Sequence, residues 1–277
     1  MKDIQLSFAA GFNGARLHEK VFEARFLYHC DRLGYLVWGE YPNWGLDHAH
    51  PLSTETYLNQ WSEAVERDFN HPAIIGWCPF NETWGYREER EKNALLSSLY
   101  KLTKRLDPTR PCIDSSGNYR ILSEVYDIHD YDQDAQSFQA RWDGLTDRIR
   151  ETGGGVPAED PFFNSAPEGP SGRAPFFNQP YDNQPIFVSE YGGIRWPDDT
   201  VEGWGYGNAP ATPEEFFARY KGLTEALLNN PEIFGFCYTQ LYDVEQEVNG
   251  LYTYGRAQKF DISLIRKINQ QKAAIED

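Results

Sequence analysis

Basic charge is scarce in this chain of 277 residues: 26 lysines and arginines face 42 aspartates and glutamates, a formal charge of −16. So acidic a surface repels phosphate backbones, which excludes general nucleic-acid binding. No apolar run approaches the roughly 18 residues that a membrane span needs. The opening MKDIQLSFAAGFNG carries charge on both sides of Lys2 and has no apolar stretch of signal-peptide length. Cysteine is sparse too, and Cys30, Cys78, Cys112 and Cys237 form no CxxC pair. The expectation is therefore reduced, mostly buried thiols in a soluble cytoplasmic protein, with neither a disulfide framework nor a cysteine zinc site.

Aromatic residues are what the chain has in quantity: eight tryptophans, seventeen tyrosines and seventeen phenylalanines. Such rings fill cores and, less often, offer flat faces to sugars. Hydrophobic residues make up 40%, enough for a sizeable core. The length suits one large domain or two small ones.

Short apolar strands alternate with amphipathic helices. Strand candidates are 14–18, 35–40, 74–80, 111–115, 125–129, 186–190 and 233–239. Several are almost continuously apolar, as strands covered on both faces of a parallel sheet are. Helical stripes run through Leu58, Trp61, Val65 and Phe69; Leu95, Leu99, Leu102 and Leu106; Phe138, Trp142, Leu145 and Ile149; and Phe216, Tyr220, Leu223 and Leu227. Ser53 or Thr54 is expected to cap the first of these helices, and Thr212 before Pro213 the last. The alternation predicts an α/β fold, a (β/α)8 TIM barrel with about seven strands visible and the first one missing at the N-terminus, where a helix over 3–10 opens the chain. The whole of 1–277 reads as one such domain. A Gly/Pro-rich excursion over 152–184 interrupts it, with six prolines, five glycines and PFFN twice.

Two glutamates fall where a barrel places chemistry. Glu82 follows the strand 74–80 in WCPFNETWG, and Glu190 ends the strand in PIFVSEYGG. Catalytic groups of such barrels project from the C-terminal ends of strands. Two carboxyls about 5–5.5 Å apart suit retaining glycoside hydrolysis, one attacking the anomeric carbon and the other serving as acid and then base. A salt-bridged rim position accounts for a lone glutamate equally well. Asp47, His48 and His50 in LDHAHP have metal-like spacing but no organising element, so a polar loop is expected there and no metal or cofactor is called for.

The strings GFNGARLHEKVFEARFLYHCDRLGYLVWGEYPNWG, HPAIIGWCPFNETWG and PIFVSEYGG resemble the catalytic barrel of glycoside hydrolase family 2, and EVNGLYTYGRAQKFD resembles the segment that closes it. This family holds β-galactosidases and β-glucuronidases. The resemblance implies Glu82 as general acid/base, Glu190 as nucleophile, Asn81 as a donor to the sugar 2-hydroxyl, and Arg16 as the charge partner of the nucleophile. His129 and Tyr131, at another strand end, would line the pocket, and Trp44 and Trp196 would offer platforms, with Trp84 and Trp204 as further loop candidates. Trp38 and Glu40 belong to the second strand. Tyr191, by strand alternation, faces away from Glu190 into the core.

The departures bear on substrate and assembly. The Asn-x-Lys pair with which family β-glucuronidases hold the sugar carboxylate is matched by Glu247-Val248-Asn249, which has no lysine. The histidine three residues beyond the nucleophile of β-galactosidases is absent, and Tyr238 and Gln240 stand where those enzymes have tryptophan. The expectation is a retaining exo-β-glycosidase for neutral β-hexosides, galactose favoured. A β-glucuronidase and a catalytically silent sugar-binding remnant are the alternatives. The jelly-roll and immunoglobulin-like domains that precede the family's barrel are not in this sequence. The expectation is a truncated product, a piece of a split enzyme completed by an N-terminal chain, or a reduced barrel closed by other means such as a second copy.

Overall fold

The computed structural model describes residues 1–47, 50–82, 89–117, 120–151, 179–197 and 203–277, with the side chains of 89–92 excepted. The excursion expected over 152–184 thus lies outside the described residues up to 178. The chain divides into two compact units, one of Gly14–Ile128 with Thr152–Pro185, the other of Lys2–Asn13, His129–Glu151 and Ile186–Asp277.

In the first unit, β1 (Gly14–Arg16), α2 (Ala24–Leu33), β2 (Leu36–Glu40), α3 (Pro51–Asp68), β3 (Ile74–Cys78) and α4 (Glu89–Leu106) follow one another. The strands form a parallel sheet in the order β1-β2-β3, with Arg16 opposite Trp38 and Glu40 opposite Cys78. Gly39 and Gly76 make this pairing sterically feasible. A Cβ on Gly76 would lie 2.1 Å from the Trp38 ring, and one on Gly39 2.7 Å from Trp77. Trp61 and Trp77 meet edge to face at 5.8 Å, and both indoles are buried with their N–H groups satisfied, by Thr103 Oγ1 at 2.7 Å and by Asp107 Oδ2 at 2.8 Å. Each buried aromatic contributes on the order of 1.5–3 kcal/mol.

Three local expectations are corrected here. Among the described residues, 111–115 is not a regular strand. It touches β3 through single bridges (Ile113 N–H to Trp77 O, 2.9 Å), and Ser116 N–H reaches Phe80 O at 2.8 Å. Side chains intercept its neighbourhood's amides, the Asp114 carboxylate accepting from Ser115, Ile121 and Leu122, and Glu124 accepting from Cys112. Secondly, α3 starts earlier than expected, with His50 as its cap and Pro51 in the first turn, where proline's missing N–H goes unneeded. Its buried stripe is Tyr57, Trp61, Val65 and Asp68, and Phe69 is exposed just past its end. Thirdly, the third stripe belongs to two helices, α5 (Ala135–Trp142) and α6 (Leu145–Glu151), parted at Gly144 with φ 66°.

Those two helices lie in the second unit, with α1 (Lys2–Ala9), β5 (Ile186–Tyr191), α7 (Pro213–Leu228), β6 (Ile233–Tyr238) and α8 (Ile262–Asn269). The strand β4 (Tyr126–Asp130), whose last two residues belong to this unit, neighbours β5, and β5 pairs in parallel with β6. Thr212 caps α7 as expected, its side chain accepting from Glu215 N–H. Phe216 stacks on Phe260 at 3.9 Å, and Tyr191 is buried with its hydroxyl 2.9 Å from Thr224 Oγ1, which bears out its core placement. No described helix is long and apolar enough to cross a membrane. Cys30, Cys78 and Cys112 are free and buried, and burial pushes the Cys30 thiol up to about 12.

Asp107 ties the first unit's core together. Its carboxylate accepts from Trp77, Thr109 and Arg110. Burial pushes this carboxyl up, but these hydrogen bonds together outweigh it and hold it well below the ordinary range. A lowered folded-state pKa contributes stability above the usual carboxylate pKa and loses it as pH falls. Asp107→Ala leaves Arg110 and the Trp77 N–H without this acceptor and is expected to cost about 3–5 kcal/mol. Urea unfolding at pH 7 and pH 4 measures it, the difference from wild type shrinking at the lower pH.

Candidate active site

The first unit gathers polar groups at the C-terminal ends of its parallel strands, the side on which such sheets bind ligands. Arg16 ends β1 and Glu40 ends β2, and the two form a buried ion pair in which Nε donates to Oε1. The same guanidinium donates through Nη2 to Asn81 Oδ1 at 2.6 Å and to Ser116 Oγ at 2.8 Å. Ser116 Oγ in turn donates to Asn81 Oδ1 at 3.0 Å. With two donors on its carbonyl oxygen, the Asn81 amide has one orientation, and its buried Nδ2 has no partner among the described residues. The Asn81 backbone is clasped as well: its N–H donates to Asn43 Oδ1, and its carbonyl accepts from Asn43 Nδ2 at 2.9 Å.

Glu82, next in sequence, is half-buried and has φ 44°, in the left-handed region that a residue with a side chain rarely occupies. Its N–H donates to Ser116 O at 3.0 Å. Strain of this kind, worth on the order of 1–3 kcal/mol, concentrates at functional positions. Glu19, at φ 51°, accepts from the amides of Asn43 and Trp44 while its own N–H donates to Glu40 Oε2. Burial raises its pKa against those two hydrogen bonds. The loop so held presents Trp44, whose ring is 64% exposed and meets His18 edge to face.

In the second unit Glu190 stands near the C-terminal end of β5 and is only 7% exposed. Tyr131 donates its hydroxyl to Glu190 Oε2, and His129 Nδ1 lies 3.3 Å from the same oxygen. Burial first, and the Glu190 charge second, push the Tyr131 hydroxyl well above its usual pKa, so it remains a donor. Tyr131 also reaches Thr239 Oγ1 at 3.2 Å and stacks on Tyr206 at 3.4 Å. Two neighbours of the same unit thus fix the orientation of this carboxyl.

The structure thus assembles Arg16, Asn81 and Glu82 in one unit, and His129, Tyr131 and Glu190 in the other. Trp44 is exposed as a platform needs to be. Trp196 instead packs its ring against Phe216 and Phe260, at 5.9 and 5.2 Å. Trp38 is buried over Gly76, and Trp84 lies outside the described residues. Of the LDHAHP segment, His48 is outside the described residues, and His50 Nδ1 accepts from Leu52 N–H.

The model of the TIM barrel domain of glycosyl hydrolases family 2 matches residues 1–194. The chain belongs to glycosyl hydrolase family 2. Human β-glucuronidase is 32% identical over 123 residues, 43% of this chain and 19% of that protein. The β-galactosidase of Thermoanaerobacterium thermosulfurigenes is 32% identical over 113 residues, 39% of this chain and 15% of that protein. Among solved structures, a family 2 β-galacturonidase from Eisenbergiella tayi bound to galacturonate superposes with a TM-score of 0.71 at 20% identity, over 97% of this chain and 46% of that one. Bifidobacterium dentium β-glucuronidase, complexed with coumarin-3-O-glucuronide, gives 0.70 at 18% identity, over 97% and 42%. The chain spans less than half the length of these solved relatives, which share its fold.

Reading from sequence missed the family 2 chain's supporting residues: Ser116 and Asn43, which orient Asn81, and Thr239 and Tyr206, which position Tyr131. Ser116 and Asn43 are small polar residues beside strand ends, a weak signal by itself. Tyr206 does lie in the repetitive string GWGYG, where Gly203 and Gly205 leave no room for a Cβ.

Proposed function

We propose that the chain carries the catalytic apparatus of a retaining exo-β-glycosidase that removes a terminal neutral β-hexoside, galactose favoured. The carrying observation is the buried Glu190 carboxylate, held by Tyr131 and His129 near the end of β5. In this reading a Glu190 oxygen attacks the anomeric carbon while protonated Glu82 gives its proton to the departing glycosidic oxygen. Glu82, now a carboxylate, takes a proton from water. That water's oxygen attacks the same carbon, and Glu190 departs as a carboxylate. This sequence needs the two carboxyls about 5–5.5 Å apart. Residues 1–277 would act as one TIM-barrel domain. Free cysteines suit a cytoplasmic setting.

Asn81 is read as the donor to the sugar 2-hydroxyl, which its unpartnered Nδ2 suits. Asn81→Ala is expected to lower kcat by on the order of 10²-fold with a smaller change in KM, because this contact strengthens as charge develops on the ring. Steady-state kinetics on one nitrophenyl glycoside measures the split.

A second reading is a β-glucuronidase, favoured by the relatives above that act on or bind uronides. A panel of nitrophenyl β-D-galactoside, glucoside and glucuronide tests both, with proton NMR following the first-formed anomer. Release of the β-anomer from the galactoside supports the proposal. Preference for the glucuronide supports the second reading, and the absence of any release above blank rejects catalysis by this chain.

A further inference from the structure

We propose that Asp114 is a positioning residue: through the turn that carries Ser116 it sets the placement of Asn81 and Glu82. The inference rests on Glu82 being the general acid/base.

Asp114 lies in the segment 111–115 that bridges to β3, and its side chain is fully buried. Its two oxygens divide three backbone amides between them. Oδ1 accepts from Ser115 N–H at 2.8 Å, and Oδ2 accepts from Ile121 at 2.7 Å and Leu122 at 2.8 Å. One carboxylate therefore ties both ends of the segment 115–122 together. Asp127, on β4 and also fully buried, takes the Gly117 N–H at 2.5 Å, where the backbone is left-handed at φ 92°. Ser116 lies between these two anchors.

Ser116 is bonded along the piece of chain that bears the acid. Its N–H donates to Phe80 O at 2.8 Å and its carbonyl accepts from Glu82 N–H at 3.0 Å, one bond on either side of Asn81. Its hydroxyl donates to Asn81 Oδ1 and accepts from Arg16 Nη2. A shift of the turn is thus a shift of Asn81 and Glu82. Misplacing a catalytic group by about 1 Å can cost on the order of 10²-fold in rate.

Burial pushes the Asp114 carboxyl up to about 7, against the pull of the three amides and of Arg120. Ionising it in the fold therefore costs stability as pH rises from the ordinary carboxylate range towards that value. An asparagine of the same shape would avoid that cost. It has only one acceptor oxygen, however, and would set its N–H2 against the amides at one end of the segment. The carboxylate is the side chain of this size that holds both ends.

The test compares wild type, Asp114→Asn, Ser116→Ala, the double variant, Glu82→Gln and Asp107→Ala. One readout is kcat/KM on the methyl and dinitrophenyl β-glycosides of the sugar that wild type prefers. The other is amide hydrogen exchange, by mass spectrometry, of the peptide holding Asn81 and Glu82 relative to the peptides of α3. Asp114→Asn should lower kcat/KM about 30-fold on the methyl glycoside and about threefold on the dinitrophenyl one, because only the methyl leaving group needs the acid in place. Exchange in the Asn81–Glu82 peptide should quicken relative to α3. The double variant should lose less than the product of the two single losses, the mark of a shared route. Asp107→Ala, whose lost bonds go to Trp77, Thr109 and Arg110, should lower both substrates alike and keep their ratio.

A wild-type ratio in Asp114→Asn, while Glu82→Gln alters it, overturns the proposal and leaves the acid in place, and additive losses in the double variant overturn it as well. Where Asp114→Asn does not fold, Asp114→Glu replaces it with the same change of ratio expected. Failure of both to fold assigns the carboxylate to the core alone and overturns the proposal. No turnover by wild type, or an unaltered ratio in Glu82→Gln, removes the acid assignment. Quickened exchange in Asp114→Asn then still upholds the placement, and unchanged exchange overturns it.

Discussion

Glu190→Gln is expected to lower kcat/KM on nitrophenyl β-glycosides by on the order of 10⁵-fold, a loss of the size seen when a nucleophile is removed. The amide keeps the shape of the carboxylate but cannot form the glycosyl ester, so good and poor leaving groups should suffer alike. Tyr131 and His129 would still meet the substituted side chain, and the fold should persist. Unchanged circular dichroism together with lost turnover is the expected pair of results. Turnover within tenfold of wild type would remove Glu190 from the mechanism. Mass spectrometry gives a second readout, because an activated 2-fluoro-β-glycoside should form its ester with the peptide that contains Glu190.

Glu82→Gln is expected to behave differently, and the difference identifies the acid. General acid catalysis contributes about 10²–10⁴-fold, most where the departing oxygen is strongly basic. A methyl or sugar leaving group should therefore lose most of its rate, whereas dinitrophenolate, which departs without a proton, should lose little in the first step. Turnover of the dinitrophenyl substrate then becomes limited by hydrolysis of the ester, since no base activates water. A pre-steady-state burst of dinitrophenolate is the signature. Equal losses across leaving groups would assign Glu82 to positioning. The left-handed backbone at this residue adds a further check, because Glu82→Gly should relieve strain while removing the acid and so raise the unfolding midpoint as activity falls.

Much of the site was legible because strand ends announce themselves. A run such as IIGWCPF must be a buried strand, and the acid that follows it falls where barrels carry chemistry. The same logic found Glu190 after IFVS and placed Tyr191 in the core. What stayed hidden was which side chains hold those acids. Within the first unit Arg16 meets Glu40, Asn81 and Ser116, which stand 24, 65 and 100 positions away. Nothing in local composition distinguishes Ser116 from any other loop serine. The strand read at 111–115 failed for a related reason: Asp114 and Glu124 capture amides that a ladder would have used, and that competition depends on residues about ten positions away.

The sequence alone determined the strand–helix alternation, the aromatic cores and the family, and it offered the two strand-end acids as candidates, because each rests on local periodicity or on a contiguous string. Tertiary structure decided the amide orientation of Asn81, the backbone strain at Glu82, the hydroxyl held against Glu190, and the packing of Trp196 away from a sugar-facing role. Each of these depends on a hydrogen-bond or packing partner distant in the chain, and only folding brings such partners within a few ångströms.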